Sequence, residues 1–263
     1  AFLRRFDAMD ARTLLIDVGV TPRFIERFWS FTSLSIMNVP LERCSAGALL
    51  RFYRLMLGQD GLRVGFPNVG LGDVYAPGCK KALERAGTEV RLNARVVELL
   101  PADGESGVSG VLLEDGTRIV ARRVVLALPP GALAPLTRSE WADVAPFRDL
   151  AKFVSVPYIA PYLWFDRKLT QKQFWARVWK EGDYNCDFYD LSNINRGARQ
   201  RPSLITSNVI GSDRIGTVTD DEIVQKTLAE LSEYLPAARE AKLVRAVVHR
   251  IPMAIHAPEP GTE

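Results

Sequence analysis

GTEVRLNARVVELLPADGESGVSGVLLEDGTRIVARRVVLALPP, residues 87–130, decides how this chain folds. Residues 90–100 (VRLNARVVELL) are aliphatic and β-branched, which suits a strand. Turn formers at 101–104 (PADG) and 107–110 (GVSG) interrupt that run. Residues 111–114 resume as a strand, Asp115-Gly116 is a hairpin-type turn, and 117–121 return. Residues 123–128 (RVVLAL) form a continuous apolar run, expected to be a strand buried on both faces. Pro129-Pro130 ends it, because proline cannot donate to a ladder.

Helices are expected before this stretch. Residues 1–20 carry apolar side chains at helical spacing, with a break near Asp10. Thr21 is an N-cap with Pro22 at the first helical position, and the next helix is expected to show Phe24, Ile25, Phe28 and Trp29 on one face. Ser45 caps a further helix that stops near Gly58. Residues 61–72 (GLRVGFPNVGLG) are glycine-rich, but neither the dinucleotide spacing G-x-G-x-x-G nor the P-loop spacing occurs in the chain. They read as a turn before a helix over 75–86, with Pro77 near its start and Gly87 as its left-handed stop.

Strands are expected after it. Residues 131–147 are a polar, proline-containing connector with helical character. Residues 154–165 form a long strand whose two prolines suggest bulges or an edge. Residues 174–179 are a neighbouring strand, and 187–195 and 204–210 are two more. Thr219-Asp-Asp-Glu222 is a capping box opening an amphipathic helix with Ile223, Leu228, Leu231 and Leu235 on its face. Residues 242–251 are a last strand.

Composition excludes several classes. With 263 residues, 47% apolar and 25% charged, the chain suits one large or two modest folded domains. A net charge of +3 without a basic run argues against a nucleic-acid partner. Cys44, Cys79 and Cys186 are widely spaced, which argues against a zinc site or disulfide framework and fits a reducing compartment. His249 and His256 sit in no hydrolase motif. No segment approaches a membrane span, and no signal peptide is visible. The chain opens on Ala1 and closes on APEPGTE, so both ends read as cut.

The order ALERAGTEVRLNARVVEL then EDGTRIVARRVVLALPP resembles the middle of the flavin-containing amine oxidase and phytoene desaturase superfamily. IMNVPLERCSAGALL, GFPNVGLGDVYAPGCKKALERAGTEVRLNARV and YLWFDRKLT (162–170) narrow the likeness to the squalene- and carotenoid-associated desaturases, of the hydroxysqualene dehydroxylase type. The resemblance implies an α+β chain forming the middle of a two-domain FAD-dependent oxidoreductase. Its G-x-G-x-x-G β-α-β unit and its closing flavin motif are absent. The implied division is a helical part of the substrate domain at 1–86, an FAD-domain strand and meander at 87–134, and a substrate-domain sheet with helices at 135–263.

FAD is the implied cofactor. By matching position the backbone of Val96, with Val97 beside it, meets the adenine, and Ala127, Leu128 and Pro129 lead to the pyrophosphate. The implied chemistry is flavin hydride transfer on a hydrophobic isoprenoid, either desaturation or dehydroxylation. An isolated piece of this kind is expected to be inactive. The resemblance nominates no catalytic side chain. For Phe28, Trp29 and Phe31 two readings stand, core packing or the wall of an apolar substrate tunnel. Tyr162 and Trp164 are substrate-wall residues by resemblance, and sheet packing without it. Phe28, Trp29, Phe31 and Met37, with Arg23, Arg27 and Arg43 nearby, are expected to touch a bilayer. The implied location is cytoplasmic, peripheral on the inner membrane face. An amine oxidase or protoporphyrinogen oxidase on the same fold, and a non-catalytic module keeping the substrate domain, remain alternatives.

Overall fold

The structure is a computed structural model that describes residues 3–57, 65–102 and 107–262. The expected helix stop at Gly58, the loop at 61–64 and the turn at 103–106 lie outside them. The described residues form an α+β chain of two compact units, residues 1–74 with 155–263, and residues 75–154.

The smaller unit holds a three-stranded antiparallel meander, β1 (Val96–Pro101), β2 (Val108–Leu113) and β3 (Arg118–Val120). Asp115-Gly116 makes the expected hairpin turn. Gly116 has φ +85°, and the Asp115 carboxylate accepts from the Thr117 N–H at 2.9 Å. A side chain at Gly110 has no room, because a Cβ there falls 2.1 Å from the Ile119 carbonyl oxygen.

Two strand expectations in this unit are corrected. Residues 90–95 are not in a ladder; Asn93 bends the chain at φ +55°. Residues 123–128 are irregular and Val125 is 90% exposed, where a strand buried on both faces was expected. Apolar content favours a strand, but a ladder needs a partner, and none lies alongside this run among the described residues. The connector after it has the expected helical character, in short turns at Pro130–Leu133, Ala134–Leu136, Ser139–Trp141 and Phe147–Lys152.

The helix expected over 75–86 runs Leu71–Arg85, so Pro77 lies inside it rather than in its first turn. Gly87 closes it in the left-handed region, at φ +64°.

In the larger unit, local caps form as read. Asp10 starts the helix Ala11–Asp17, and the Thr21 hydroxyl accepts from the Phe24 N–H. Ser45 Oγ accepts from the Ala48 N–H at the start of Ala46–Leu57. From Pro22 to Met37 the helix passes through two π stretches, Ile25–Trp29 and Ser33–Met37. The Ser30 and Thr32 hydroxyls donate back to the Ile25 and Phe28 carbonyls inside this segment. The expected single face of Phe24, Ile25, Phe28 and Trp29 splits. Ile25 and Trp29 pack into the core, while Phe24 and Phe28 stack on each other outside, rings 5.0 Å apart.

The six-stranded sheet comprises β4 (Ser155–Phe165), β5 (Phe174–Ala176), β6 (Asp187–Asp190), β7 (Leu204–Thr206), β8 (Val209–Ile210) and β9 (Leu243–His256). Only the first half of the expected strand at 187–195 is extended; Asp190 caps a helical turn at Leu191–Ile194. β4 is central rather than an edge. It pairs β9 on one side and both β7 and β8 on the other. Its prolines sit where no donor is required. Pro157 falls in the irregularity between Val156 and Tyr158, opposite a stretch of β9 that includes Pro252. Pro161 lies between the β8 and β7 pairings, where its carbonyl accepts from Thr206 Oγ1.

One face of this sheet is covered by the helix Asp220–Tyr234, opened by the expected Thr219–Glu222 capping box. Leu163, Phe165, Phe188 and Ile205 pack there with Val224 and Leu231. Ile159 and Val209 pack with Ile223.

Candidate functional site

In the smaller unit the cofactor residues predicted from sequence fall into two places. Val96 opens β1 and pairs with Leu113. The Glu114 N–H donates to the Arg95 carbonyl, which makes Val96 and Leu113 a non-hydrogen-bonded pair. The Val96 N–H and C=O therefore point away from β2, toward the edge of β1 that no described strand occupies. Val97 is 41% exposed, at a register slip between Val96 and Glu98. It borders a cavity of about 290 Å³ whose far side is residues 135–140. Arg138 donates to Glu140 there at 2.6 Å and holds that carboxyl down to about 2.

Ala127, Leu128 and Pro129 do not line that cavity. Ala127 and Leu128 lie on the exposed irregular run, and the Pro129 carbonyl accepts from the Ala132 and Leu133 N–H groups of the next helical turn.

In the larger unit, strand alternation puts Tyr158, Tyr162 and Trp164 on the face of β4 opposite the covering helix. Register extends that face into a row: Phe174 opposite Tyr189, Tyr189 opposite Thr206, Thr206 opposite Tyr162, Tyr162 opposite Val247. Phe66 closes the row, its ring 5.8 Å from both Phe174 and Tyr189. Tyr162 and Trp164 lie 6.2 Å apart, His249 meets Tyr162 edge-on, and the Arg245 guanidinium lies over Trp164. These rings are half-buried or exposed, unlike the fully buried side chains beneath the helix.

Asp187, two residues before Tyr189, is on this same face. It is only 4% exposed. Its Oδ2 accepts from the Tyr189 hydroxyl at 3.1 Å, and its Oδ1 has no hydrogen-bond partner among the described residues. Burial pushes the carboxyl up to about 6, with the Tyr189 hydrogen bond opposing. The Tyr158 hydroxyl donates to Asn38 Oδ1, and burial raises its pKa, with Cys186 and Asp187 adding to the shift.

Phe28, Trp29 and Phe31 are not part of the row as described. Phe28 is exposed beside Phe24; Trp29 packs on Tyr53 and the helical core; Phe31 packs on Leu34, Cys186 and Ile210. Met37 joins the helical core as well, and Arg43 is held by Glu259 and Asp213. Sequence reasoning missed Phe66, Phe174, Tyr189 and Asp187. The available signal was the alternation of DFYD at 187–190, which puts a carboxylate and a tyrosine on one side of a strand. Among the described residues no cluster suits a metal ion and no helix is long and apolar enough to cross a membrane.

Comparison with known proteins assigns this geometry to a class. Residues 16–255 match the model of the flavin containing amine oxidoreductase family, and the chain belongs to that family. Its curated relatives include a 15-cis-phytoene desaturase of Capsicum annuum, 27% identical over all of this chain and 46% of the relative. A zeta-carotene desaturase of Arabidopsis thaliana is 23% identical over 99% of this chain and 51% of the relative. The chain thus spans about half the length of the curated relatives it matches. Among solved structures, cyclohexylamine oxidase from Brevibacterium oxydans shares the fold with a TM-score of 0.74, at 15% identity, over 98% of this chain and 58% of the oxidase.

FAD is the cofactor that family membership implies. The residues present suit part of it. The main-chain N–H and C=O of Val96, directed to the open edge of β1, match the donor and acceptor edge of a purine. A pyrophosphate calls for clustered N–H donors at a glycine-rich turn, and this chain has no G-x-G-x-x-G.

Proposed function

We propose that this chain is the central part of an FAD-dependent oxidoreductase that desaturates or dehydroxylates a long, hydrophobic isoprenoid. The observation that carries the reading is the open aromatic face of the sheet: Phe66, Phe174, Tyr189, Tyr162 and Trp164 in one row. Flat rings bury a large apolar area with little conformational cost, which suits an extended hydrocarbon with no polar handle. The desaturase relatives support the same substrate class.

The flavin, when bound, supplies the two-electron oxidation. This chain contributes the Val96 backbone, with Val97 beside it, at the adenine, and residues 127–129 toward the pyrophosphate. The aromatic face holds the hydrocarbon and keeps water from it. A second reading, oxidation of an amine, is favoured by one observation: the buried Asp187 carboxylate is a ready partner for an ammonium group.

Full-length, flavin-loaded protein separates the two. Incubated without oxygen, it is expected to convert a linear polyene hydrocarbon to products absorbing at longer wavelength, and to leave a primary diamine unchanged. Flavin bleaching by the diamine and not by the polyene is the outcome that overturns the isoprenoid reading.

The cofactor contact is testable at one residue. Val96→Ala is expected to leave FAD affinity nearly unchanged, because the contact is main-chain. Val96→Pro removes the free N–H without breaking the β1–β2 ladder, since that N–H points away from β2. The expected loss is about 1–3 kcal/mol of FAD binding, read by flavin fluorescence titration. Equal affinity in both variants, with the fold intact, means that Val96 does not touch the cofactor.

A further inference from the structure

We propose that the open aromatic face also binds long-chain anions, with the chain along the rings and the acidic head on Arg245 and Arg201 at the Trp164 end. The inference rests on the reading of this face as the chain-binding surface. It goes beyond that reading, because a pure hydrocarbon makes no use of a cation. The second ligand class is an amphiphile ending in a carboxylate or phosphate, which competes with the hydrocarbon for the rings.

The rings supply a track. Phe174, Tyr189, Thr206 and Tyr162 stand on four adjacent strands, β5, β6, β7 and β4. At about 4.8 Å between neighbouring strands they span about 14 Å. Phe66 adds a ring 5.8 Å beyond Phe174 and Tyr189, and Trp164 adds one 6.2 Å from Tyr162. All of these residues belong to the larger unit, so the site needs nothing from the smaller one.

Charge gives the track a direction. Leu204 on β7 and Arg245 on β9 stand directly opposite Trp164 and so share its face. The Arg245 guanidinium lies 5.2 Å from the centre of the Trp164 ring and makes no ion pair among the described residues. Stacking on a ring uses the plane of a guanidinium and leaves its N–H donors free. A cavity of about 330 Å³ opens at the same place, bordered by Trp164, Leu204, Asn195 and Arg201. Arg201 is exposed, its side chain has no partner among the described residues, and no carboxylate borders the cavity. Asp187, the carboxylate of this face, is buried and lies elsewhere. β6 and β4 both run antiparallel to β7, which sets Asp187 level with Ala160, on the side of Tyr162 away from Trp164. Two uncompensated guanidiniums about one ring therefore complement an acidic head, whose oxygens accept from guanidinium donors in pairs.

The test uses full-length, flavin-loaded protein at neutral pH. The probe is cis-parinarate, a linear tetraene carboxylate whose fluorescence rises in apolar surroundings, titrated below its micellar concentration. Its methyl ester carries the same chain without the charge. The acid is expected to bind at least about tenfold tighter than the ester. That preference is expected to weaken as salt is added. Arg245→Gln and Arg201→Gln each reduce it and the double variant abolishes it, with ester affinity held within about twofold because both side chains are exposed. Tyr162→Ala weakens acid and ester alike. Geranylgeranyl phosphate and geranylgeraniol, as competitors of the probe, read a phosphate head in the same way. A linear polyene hydrocarbon is expected to displace the bound acid.

Preference for the anion in either pair, lost in the double variant, supports the proposal and assigns the head group. No preference in both pairs, or a preference that survives the double variant, overturns it and leaves the hydrocarbon reading intact. A polyene that fails to displace the acid, together with a Tyr162→Ala variant that binds acid and ester as wild type does, means that the face holds no chain, and both readings fall.

Discussion

Truncation of Glu230 to alanine is expected to destabilise the protein by about 3–5 kcal/mol. Glu230 projects from the helix Asp220–Tyr234 and is 2% exposed. Its two oxygens accept from the Tyr184 N–H, the Asn185 N–H and Asn185 Nδ2, each at 2.9 Å. Arg177, equally buried, donates to it at 3.0 Å and reaches Asp183 and Glu233 with its other nitrogen. Burial alone would lower the Arg177 pKa, but Glu230, Asp183 and Glu233 together raise it. Glu230 therefore fastens the loop between β5 and β6 to the helix that covers the sheet.

Removing Glu230 orphans two backbone N–H groups and takes from Arg177 the most deeply buried of its three carboxylate partners, which is why the cost exceeds that of a single hydrogen bond. Glu233 is the control. It is half exposed, so Glu233→Ala is expected to cost under about 1 kcal/mol. Urea denaturation of the three proteins checks both values. A Glu230→Ala loss no greater than that of Glu233→Ala means that the network does not hold the loop.

Phe188→Ala is expected to cost a similar amount, about 3–5 kcal/mol, for a different reason. Phe188 is fully buried and stacks on Trp175, ring centroids 5.7 Å apart, in the cluster of Leu163, Ile205 and Leu231. Its loss leaves a cavity that neither the strand nor the helix can close, because both are anchored in ladders and caps. Val125→Ala, on the exposed run of the smaller unit, is expected to stay within about 0.5 kcal/mol. Denaturation midpoints compared at constant slope check the pair. A large Val125→Ala effect indicates that this run is covered in the state measured.

The site was partly visible before folding. YLWFDRKLT pointed to Tyr162 and Trp164, and both lie on the open face. Val96 was reached by matching a strand after a helix stop, and its backbone does point to a free edge. Asp187, Phe66, Phe174 and Tyr189 carried no motif. They meet only because β5, β6, β7 and β4 pair in one register, over sequence separations that no local pattern records.

What the sequence determined by itself were features closed within a few residues. The Thr219–Glu222 box, the Ser45 and Thr21 caps, the Asp115-Gly116 turn and the Gly87 stop each satisfy their hydrogen bonds locally, so side-chain chemistry suffices to place them. Tertiary structure decided whether an apolar run becomes a strand. Residues 155–165 and 123–128 read alike as β-rich, yet the first is the centre of a sheet because β9, some ninety residues later, lies along it, and the second has no such partner among the described residues. Tertiary structure also decided which way Asp187 faces. A strand offers two faces, and the helix Asp220–Tyr234, by covering one of them, leaves Asp187 on the opposite face, where it is itself buried.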